Sequence, residues 1–586
     1  MLPHGKGRLK FAVVRKKLPL ACLVFVLAAC SPALPEDSES TEPPTPFAPT
    51  EPSAPVDPPS PPVGTACEAP PVLPAAPEIA LPVAEAWVSA EELTVQAAGF
   101  ENSGSVAPER ARFEIWSVEA GAPVGLVWSA SVNAPASLAE VRLADGAFMA
   151  GVRALSERER YAVRVRYAYV PEPCEVWGEW SAWRFFRADD ASGELFDEGQ
   201  VLEFHLDIPP DSWAAMNAEA VPPDCVPHER QDYRATLRLG ERVFENVGVH
   251  VKGGCGSARS LEGKASFKVD LEWDDPETPG CPESRELFGR KNFTFDNNVQ
   301  DHSQMNARLG YAFFRELGMP APRAASVRLF VNGEYWGLYT HVESIDRKFL
   351  ARWFEDKSGA LYEGSYWCDL VPENVPAPGE DPSGFCLERK LSGGGACGSG
   401  ASGDGYAPLR ELTRRLAALP KGGFYPEVQA FFDYDQFLTT WSIEGVIAHW
   451  DGYSFDTRNN YRVYQDPSTG RWSLLSGGID QTFGHRLGRG AGLEQNPWDV
   501  AGVLAVRCME EADCRAAIAT RMEEVTQAFE TAGLEARARD IRSQIASDAH
   551  ADPRKESSNA QFDKAVEETL RFIRERPARM RQFLEQ

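Results

Sequence analysis

The chain has 586 residues and a mass of 64.5 kDa, with 60 Lys and Arg against 86 Asp and Glu, a formal charge of −26 and a pI near 4.9. A field of that sign repels a polyanion, which excludes a nucleic-acid binder that works by neutralising phosphates. At 43% hydrophobic residues with 15 Trp most of the chain must fold, and its length suits roughly two to four domains.

Residues 1–29 carry Lys6, Arg8, Lys10, Arg15, Lys16 and Lys17 without an acid, then the apolar run Leu18 to Ala29. That run is short for a bilayer span and has the layout of a secretory signal. It ends in Leu27-Ala28-Ala29-Cys30, which resembles the bacterial lipoprotein lipobox. The resemblance implies a diacylated Cys30 as mature N-terminus, a chain of charge −32, and, with Ser31 following, a lipid anchor in the outer membrane of the cell envelope. Ten cysteines then remain, an even number that in an exported chain reads as disulfides. Cys368/Cys386 and Cys508/Cys514 are the pairs closest in sequence, although spacing alone leaves connectivity open. No paired CxxC spacing supports zinc.

Residues 30–77 are Pro, Ser, Thr, Glu and Ala with hardly an aromatic, a composition that cannot offset its ordering entropy and reads as a disordered stalk. Residues 78–190 alternate as strands. Tyr161, Val163, Val165 and Tyr167 share one face, Leu155 lies six residues before Tyr161, and Gly178-Glu179-Trp180-Ser181 follows. This pattern resembles a fibronectin type III sandwich, in which a tyrosine ties down a corner; the resemblance implies a spacing or contact module.

Residues 195–586 read as one α+β domain. Strands are predicted at 234–239, 247–251, 266–271, 327–331 and 335–339, the last two joined by Asn332-Gly333, a strong hairpin signal. Helices are predicted at Ser303–Leu317, Tyr434–Ala448, Arg515–Thr531 and Phe562–Phe583, and 370–405 as a long disulfide-stapled loop. An apolar helix ends at His449-Trp450-Asp451, Asn459-Asn460 opens a strand, and a second strand runs to Gly478-Ile479-Asp480-Gln481-Thr482-Phe483-Gly484. One helix, two strands and a turn thus deliver Asp451, an Asn and Asp480 within a short span. Their order is that of a protein-kinase site: a hydroxyl-orienting carboxylate, then an amide and a carboxylate for magnesium. Phosphoryl transfer needs hard-cation oxygen ligands and cations on the phosphates. Alternation puts Lys264, Ser266 and Lys268 on one strand face, opposite Phe267 and Val269, after the Gly-rich turn Lys252-Gly253-Gly254-Cys255-Gly256. His449 reads as a core histidine.

Across nearly its whole length the third region resembles the CotH kinase family. The match is carried by Val251-Lys-Gly with Lys264-Ala-Ser-Phe-Lys268, Asn292-Phe-Thr-Phe-Asp-Asn with Asp301-His-Ser, and Val331-Asn-Gly-Glu-Tyr-Trp-Gly to Glu343. It continues through Asp451 to Asn460-Tyr-Arg-Val-Tyr, Ile479-Asp480-Gln-Thr-Phe-Gly and Phe572-Ile573 with Arg576. The resemblance implies an atypical kinase-like fold that uses ATP and Mg2+ or Mn2+ to phosphorylate protein Ser or Thr. It implies Asp451 as the catalytic aspartate, Asp480 and Asn460 as metal ligands, and Lys264, Lys268, Glu343 and, more loosely, Lys390 as nucleotide contacts. The family's second acid, two residues before the metal aspartate, is Gly478 here; a common lysine is Glu363, and a common arginine is replaced in the Asn306 region. These losses leave open an alternative of another class: a catalytically inactive surface or coat assembly protein that keeps the fold and binds a partner.

Overall fold

In the computed structural model the described residues run from 76 to 585, apart from 99–107, 170–175, 220–229, 274–284, 391–403, 485–491 and shorter interruptions. The expected signal, lipidated Cys30, most of the stalk, and the cysteines at 67, 174, 225, 255, 281 and 397 lie outside the described residues.

The N-terminal part is all β. One sheet pairs β1 (Glu78–Leu81), β3 (Thr94–Ala98) and β6 (Glu140–Arg142). The other runs β2 (Trp87–Ser89), β9 (Arg184–Asp189), β8 (Arg160–Ala168), β4 (Arg110–Glu119), β5 (Ala122–Val132), β7 (Ala147–Phe148). Alternation along β8 turns Tyr161, Val163, Val165 and Tyr167 into a core that also holds Phe113, Trp128 and Phe186. Tyr161 Oη accepts from Ser156 N at 2.8 Å, and Ser181 Oγ accepts from Val165 N at 3.0 Å. On the other face Arg164 lies over the rings of Trp116, Trp180 and Trp183, and Arg166 over Trp177 and Trp180. This interleaving shields their aliphatic and aromatic surface.

A seven-stranded closed barrel follows, ordered β10 (Leu202–Asp207), β11 (Tyr233–Leu239), β12 (Arg242–Lys252), β13 (Ser266–Asp270), β14 (Asn292–Asp296), β16 (Glu334–Val342), β15 (Ala324–Val331). The parallel pair of β10 with β15 closes it, leaving no free edge. Asn332 and Gly333 join β15 to β16 with φ of 51° and 81°, the left-handed pair of a tight hairpin. Phe204, Phe267, Phe293, Phe295 and Trp336 fill the interior.

A second sheet, β18 (Leu387–Arg389), β17 (Leu361–Gly364), β19 (Tyr461–Gln465), β20 (Trp472–Ser476), packs with the C-terminal helices. The four expected helices are present at Asn306–Glu316, Tyr434–Val446, Ala512–Thr531 and Asn559–Leu584. The region expected as one long loop contains β18, and a helix at Ala407–Ala418 follows it. A further helix, Leu534–Ala551, buries Leu534, Ala538, Ile541, Ile545 and Ala549. The disulfides Cys368–Cys386 and Cys508–Cys514 join the two pairs closest in sequence.

Candidate functional site

The helix Tyr434–Val446 is buried from Phe437 onward, its polar Thr439, Thr440, Ser442 and Glu444 included, while Asp435 in its first turn faces solvent. Two residues past its end Ala448, at a φ of 58°, turns the chain sharply into His449 and Asp451. The β19–β20 hairpin brings Asn460 and Asp480 to the same place. Gly477 N donates to Asn460 O at 2.7 Å and Phe483 N to Ile447 O at 2.8 Å, tying the Asp480 turn to strand entry and helix end. Asn306, first residue of its helix, donates Nδ2 to the carbonyls of Asp480 and Thr482 at 2.9 and 3.0 Å. Asp301 in turn accepts from Asn306 N at 2.8 Å and Ser303 N at 2.9 Å. The family's missing arginine is thus met by an amide that clamps the turn.

Asn460 Nδ2 donates to Asp451 Oδ2 at 2.9 Å, and His449 Nε2 lies 3.2 Å from Asp451 Oδ1. Burial opposes a charge on His449, but Asp451 and Glu444 lift its pKa to about 10, so the imidazolium stands between two carboxylates. The ring expected only as core therefore orients and balances Asp451. Burial, then Asp296, Asp451 and Asp301, raise Asp480 to about 8. Asp451 and Asp480 thus share one acidic pocket.

Seven of the ten non-glycine residues with positive φ among the described residues, Asn298, Gln304, Trp367, Ala448, Arg458, Asn460 and Phe483, lie in the segments that build this pocket. Such strain persists only where surrounding contacts fix it, and it concentrates at functional sites. Gly478, at φ 51°, sits beneath Asn460: a Cβ there would be 2.2 Å from Asn460 Oδ1. The family's second acid is sterically exclusive with Asn460 as it stands here.

The barrel supplies the opposite wall. Register aligns Lys252 with Ser266 and Phe267 with Phe295, so Lys252, Ser266 and Asp296 end at one rim. Lys252 Nζ meets Asp296 Oδ2 at 2.7 Å and lies within the field of Asp480 and Glu363. Lys252 and Asp296, which fall in the Val251-Lys-Gly and Asn292-Phe-Thr-Phe-Asp-Asn motifs, are thus part of the site. Lys268 is exposed on this wall; the packing around it, then Lys390 and Arg462, lower its pKa. Lys390 meets Glu363 at 2.9 Å and Glu388 at 2.7 Å, and Arg462 pairs with Glu363 directly across β17 and β19. Although burial opposes it, Arg462 and Lys390 pull Glu363 to about 2. The lysine lost at 363 becomes the counter-ion that gathers Lys268, Lys390 and Arg462 together.

Two residues implied as nucleotide contacts are committed internally. Lys264 precedes β13 instead of lying within it, so alternation with Lys268 does not reach it. Its ammonium, 1% exposed, meets Asp552 Oδ2 at 2.6 Å and Leu338 O at 2.8 Å over the Tyr339 ring. Glu343, also buried, meets Arg290 at 2.7 Å, Arg323 at 2.9 Å and Arg352, which hold its carboxylate well below the usual range against burial. Lys264 ties the barrel to the segment after Leu534–Ala551, and Glu343 ties the barrel to the helix Arg347–Trp353.

The donors facing the pocket are oxygens and amides, the chemistry of a hard cation. One carboxylate (Asp480) and one amide (Asn460) match the sparse protein set magnesium takes when waters and phosphates complete its shell. Among the described residues no cluster of three His, Cys, Asp or Glu forms an all-protein metal cage.

The barrel rim with Lys252, Asp296 and the basic cluster thus lies close to the turn and hairpin that hold Asp451, Asn460 and Asp480. Residues 249–580 match the family model described as CotH kinase protein, and the chain belongs to that family. It is similar to invasin CotH2 of Rhizopus delemar, 25% identical over 361 residues, covering 58% of this chain and 53% of that protein. Inner spore coat protein H of Bacillus subtilis is 23% identical over 309 residues, covering 50% of this chain and 79% of that protein. Invasin CotH3 of Rhizopus delemar is 26% identical over 346 residues, covering 55% and 50%. The matched stretch thus spans about half the length of the invasins.

Proposed function

We propose that the chain is an extracytoplasmic, lipid-anchored protein kinase of the CotH type, transferring the γ-phosphate of ATP to Ser or Thr of a protein. The observation that carries this reading is the Asn460 bridge, which bonds Asp451 and rests on Gly478 two residues before Asp480. Asp451 orients the acceptor hydroxyl and takes its proton as the oxygen bonds to the γ-phosphorus and the bond to the β–γ bridging oxygen breaks, releasing ADP. Lys268, Lys390 and Arg462 meet phosphate oxygens, and Lys252 is held near them by Asp296. Asp480 and Asn460 would hold Mg2+ or Mn2+, which neutralises charge gathering on the transferred group. His449, 3.2 Å from Asp451 Oδ1, keeps that carboxylate aimed.

Cys30 carries the lipid, 30–77 form the stalk, and the N-terminal sheets act as a fibronectin type III-like spacer; the Tyr161 corner supports that likeness. The location is the cell envelope at the outer membrane, and the partner is a protein, not a nucleic acid. Cys30→Ala should move the protein to the soluble fraction; continued membrane association contradicts the anchor. For the activity, incubation with γ-labelled ATP and Mg2+ or Mn2+ should label the protein or an added polypeptide, and chelation should abolish labelling while leaving the fold intact.

A second reading, a surface or coat assembly protein without transfer, is favoured by Gly478 and Glu363 and by relatives named as invasins and a spore coat protein. Absence of labelling together with absence of an ATP-dependent thermal shift decides for it.

A further inference from the structure

Next to Tyr366 lies an exposed aromatic to which phosphate and metal binding assign no role. Among the described residues five large hydrophobics are exposed, and the one aromatic among them is Trp367, at 49%. Its φ is 58°, a conformation that bulky residues rarely take. Its surroundings hold it there. Trp367 N donates to Thr457 O at 2.6 Å, the next residue, Cys368, is buried and disulfide-bonded to Cys386, and Tyr461 Oη donates to Cys368 O at 3.3 Å. An indole is thus pushed into solvent by a backbone locked on both sides.

The adjacent Tyr366 connects it to the chemistry. The two rings lie 5.9 Å apart. Tyr366 shares a side-chain hydrogen bond with Asn459, feels the charges of Asp451 and Asp480, and reaches the Gly-rich turn at Gly254. The basic cluster of Lys268, Lys390 and Arg462 serves the phosphates, whereas Tyr366 stands near both carboxylates and bonds Asn459, the neighbour of the Asn460 that holds Asp451. From Asp451 outward the order is therefore Asn459–Asn460, Tyr366, Trp367, solvent.

We propose that Tyr366 and Trp367 form an acceptor shelf, on which Trp367 takes an apolar side chain next to the Ser or Thr that Asp451 addresses. The occupant is an extended polypeptide with an aliphatic or aromatic residue flanking the hydroxyl. A flat, rigid indole offers such contact at little entropic cost. The inference rests on the kinase reading for the role of Asp451, but peptide binding is measured without turnover, so the two fail separately.

The test uses the full chain and two fluorescein-labelled peptides that differ only in having Leu or Gly on both sides of a central Ser, with binding read by polarisation. Wild type should bind the Leu peptide at least about fivefold more tightly. Trp367→Gly, in which glycine accepts the left-handed backbone so that the thermal midpoint is kept, should lose that preference, and Trp367→Phe should restore it. Equal affinity of wild type for both peptides, or an undiminished preference in Trp367→Gly, overturns the proposal. ATP-plus-metal thermal shifts, measured in parallel, report on the kinase reading alone and should be the same in all three proteins.

Discussion

Lys264→Ala separates a structural lysine from a phosphate-binding one. The ammonium and its partner Asp552 are both essentially excluded from water, with side chains 1% and 0% exposed. Removing one member of a buried pair leaves the other charge uncompensated, typically at a cost of about 3–5 kcal/mol. Here Asp552 still accepts from Leu338 N at 3.1 Å and from Arg554 N and Lys555 N at 2.9 Å each. Those bonds retain part of the carboxylate's solvation, which puts the expected loss near the lower end, about 3 kcal/mol. Urea unfolding of the wild type, Lys264→Ala, Asp552→Asn and the double variant should give a favourable coupling of about 2 kcal/mol or more. The KM for ATP of folded Lys264→Ala should stay within about twofold of wild type. A stability change below about 1 kcal/mol combined with a large rise in KM would refute this assignment and return Lys264 to the nucleotide.

Lys268→Ala should show the converse, with stability nearly unchanged because the side chain is exposed and the KM for ATP raised about tenfold for one lost charge-assisted phosphate contact. Steady-state kinetics beside urea unfolding check both halves. Gly478→Asp, which installs the family's acid, should lower stability by roughly 1–2 kcal/mol for the left-handed backbone and cut activity by displacing Asn460; an active, stable variant contradicts the packing described. His341, stacked on Phe196 and Phe293 and facing Glu343, Arg323 and Arg290, has its pKa lowered to about 4, chiefly by burial. Its folded pKa lies below its unfolded one, so its contribution is complete above about pH 6.5 and is lost as the pH falls towards 4, up to roughly 3 kcal/mol. Stability measured from pH 7 to 4 should therefore fall less steeply in His341→Phe.

Local signals in the sequence carried the long apolar or amphipathic helices and the Asn332-Gly333 hairpin, because these depend on neighbours a few residues away. Closure of the barrel depends on the parallel pairing of β10 with β15, more than a hundred residues apart, which no local pattern encodes. The helix Leu534–Ala551 has a weak local signal, because three of its five buried positions are filled by two Ile and one Leu among many charges, and the other two by small Ala. Asp451, Asn460 and Asp480 were legible as a set because one helix end and one hairpin carry all three. His449 was not, since only packing reveals that it lies between Glu444 and Asp451. Strand alternation holds only from Ser266 onward, so it does not reach Lys264, which lies two residues before β13 and is buried against Asp552.

In the proposed reaction Asp451 acts on the acceptor, whereas Asp480 holds the cation of the nucleotide. The most direct measurement is γ-phosphate transfer and ATP-plus-Mg2+ thermal shift in wild type, Asp451→Asn and Asp480→Asn side by side. Transfer is expected from wild type only, with the thermal shift retained in Asp451→Asn and lost in Asp480→Asn. Transfer that survives Asp451→Asn, or a wild type that neither transfers phosphate nor responds to ATP, would contradict these roles.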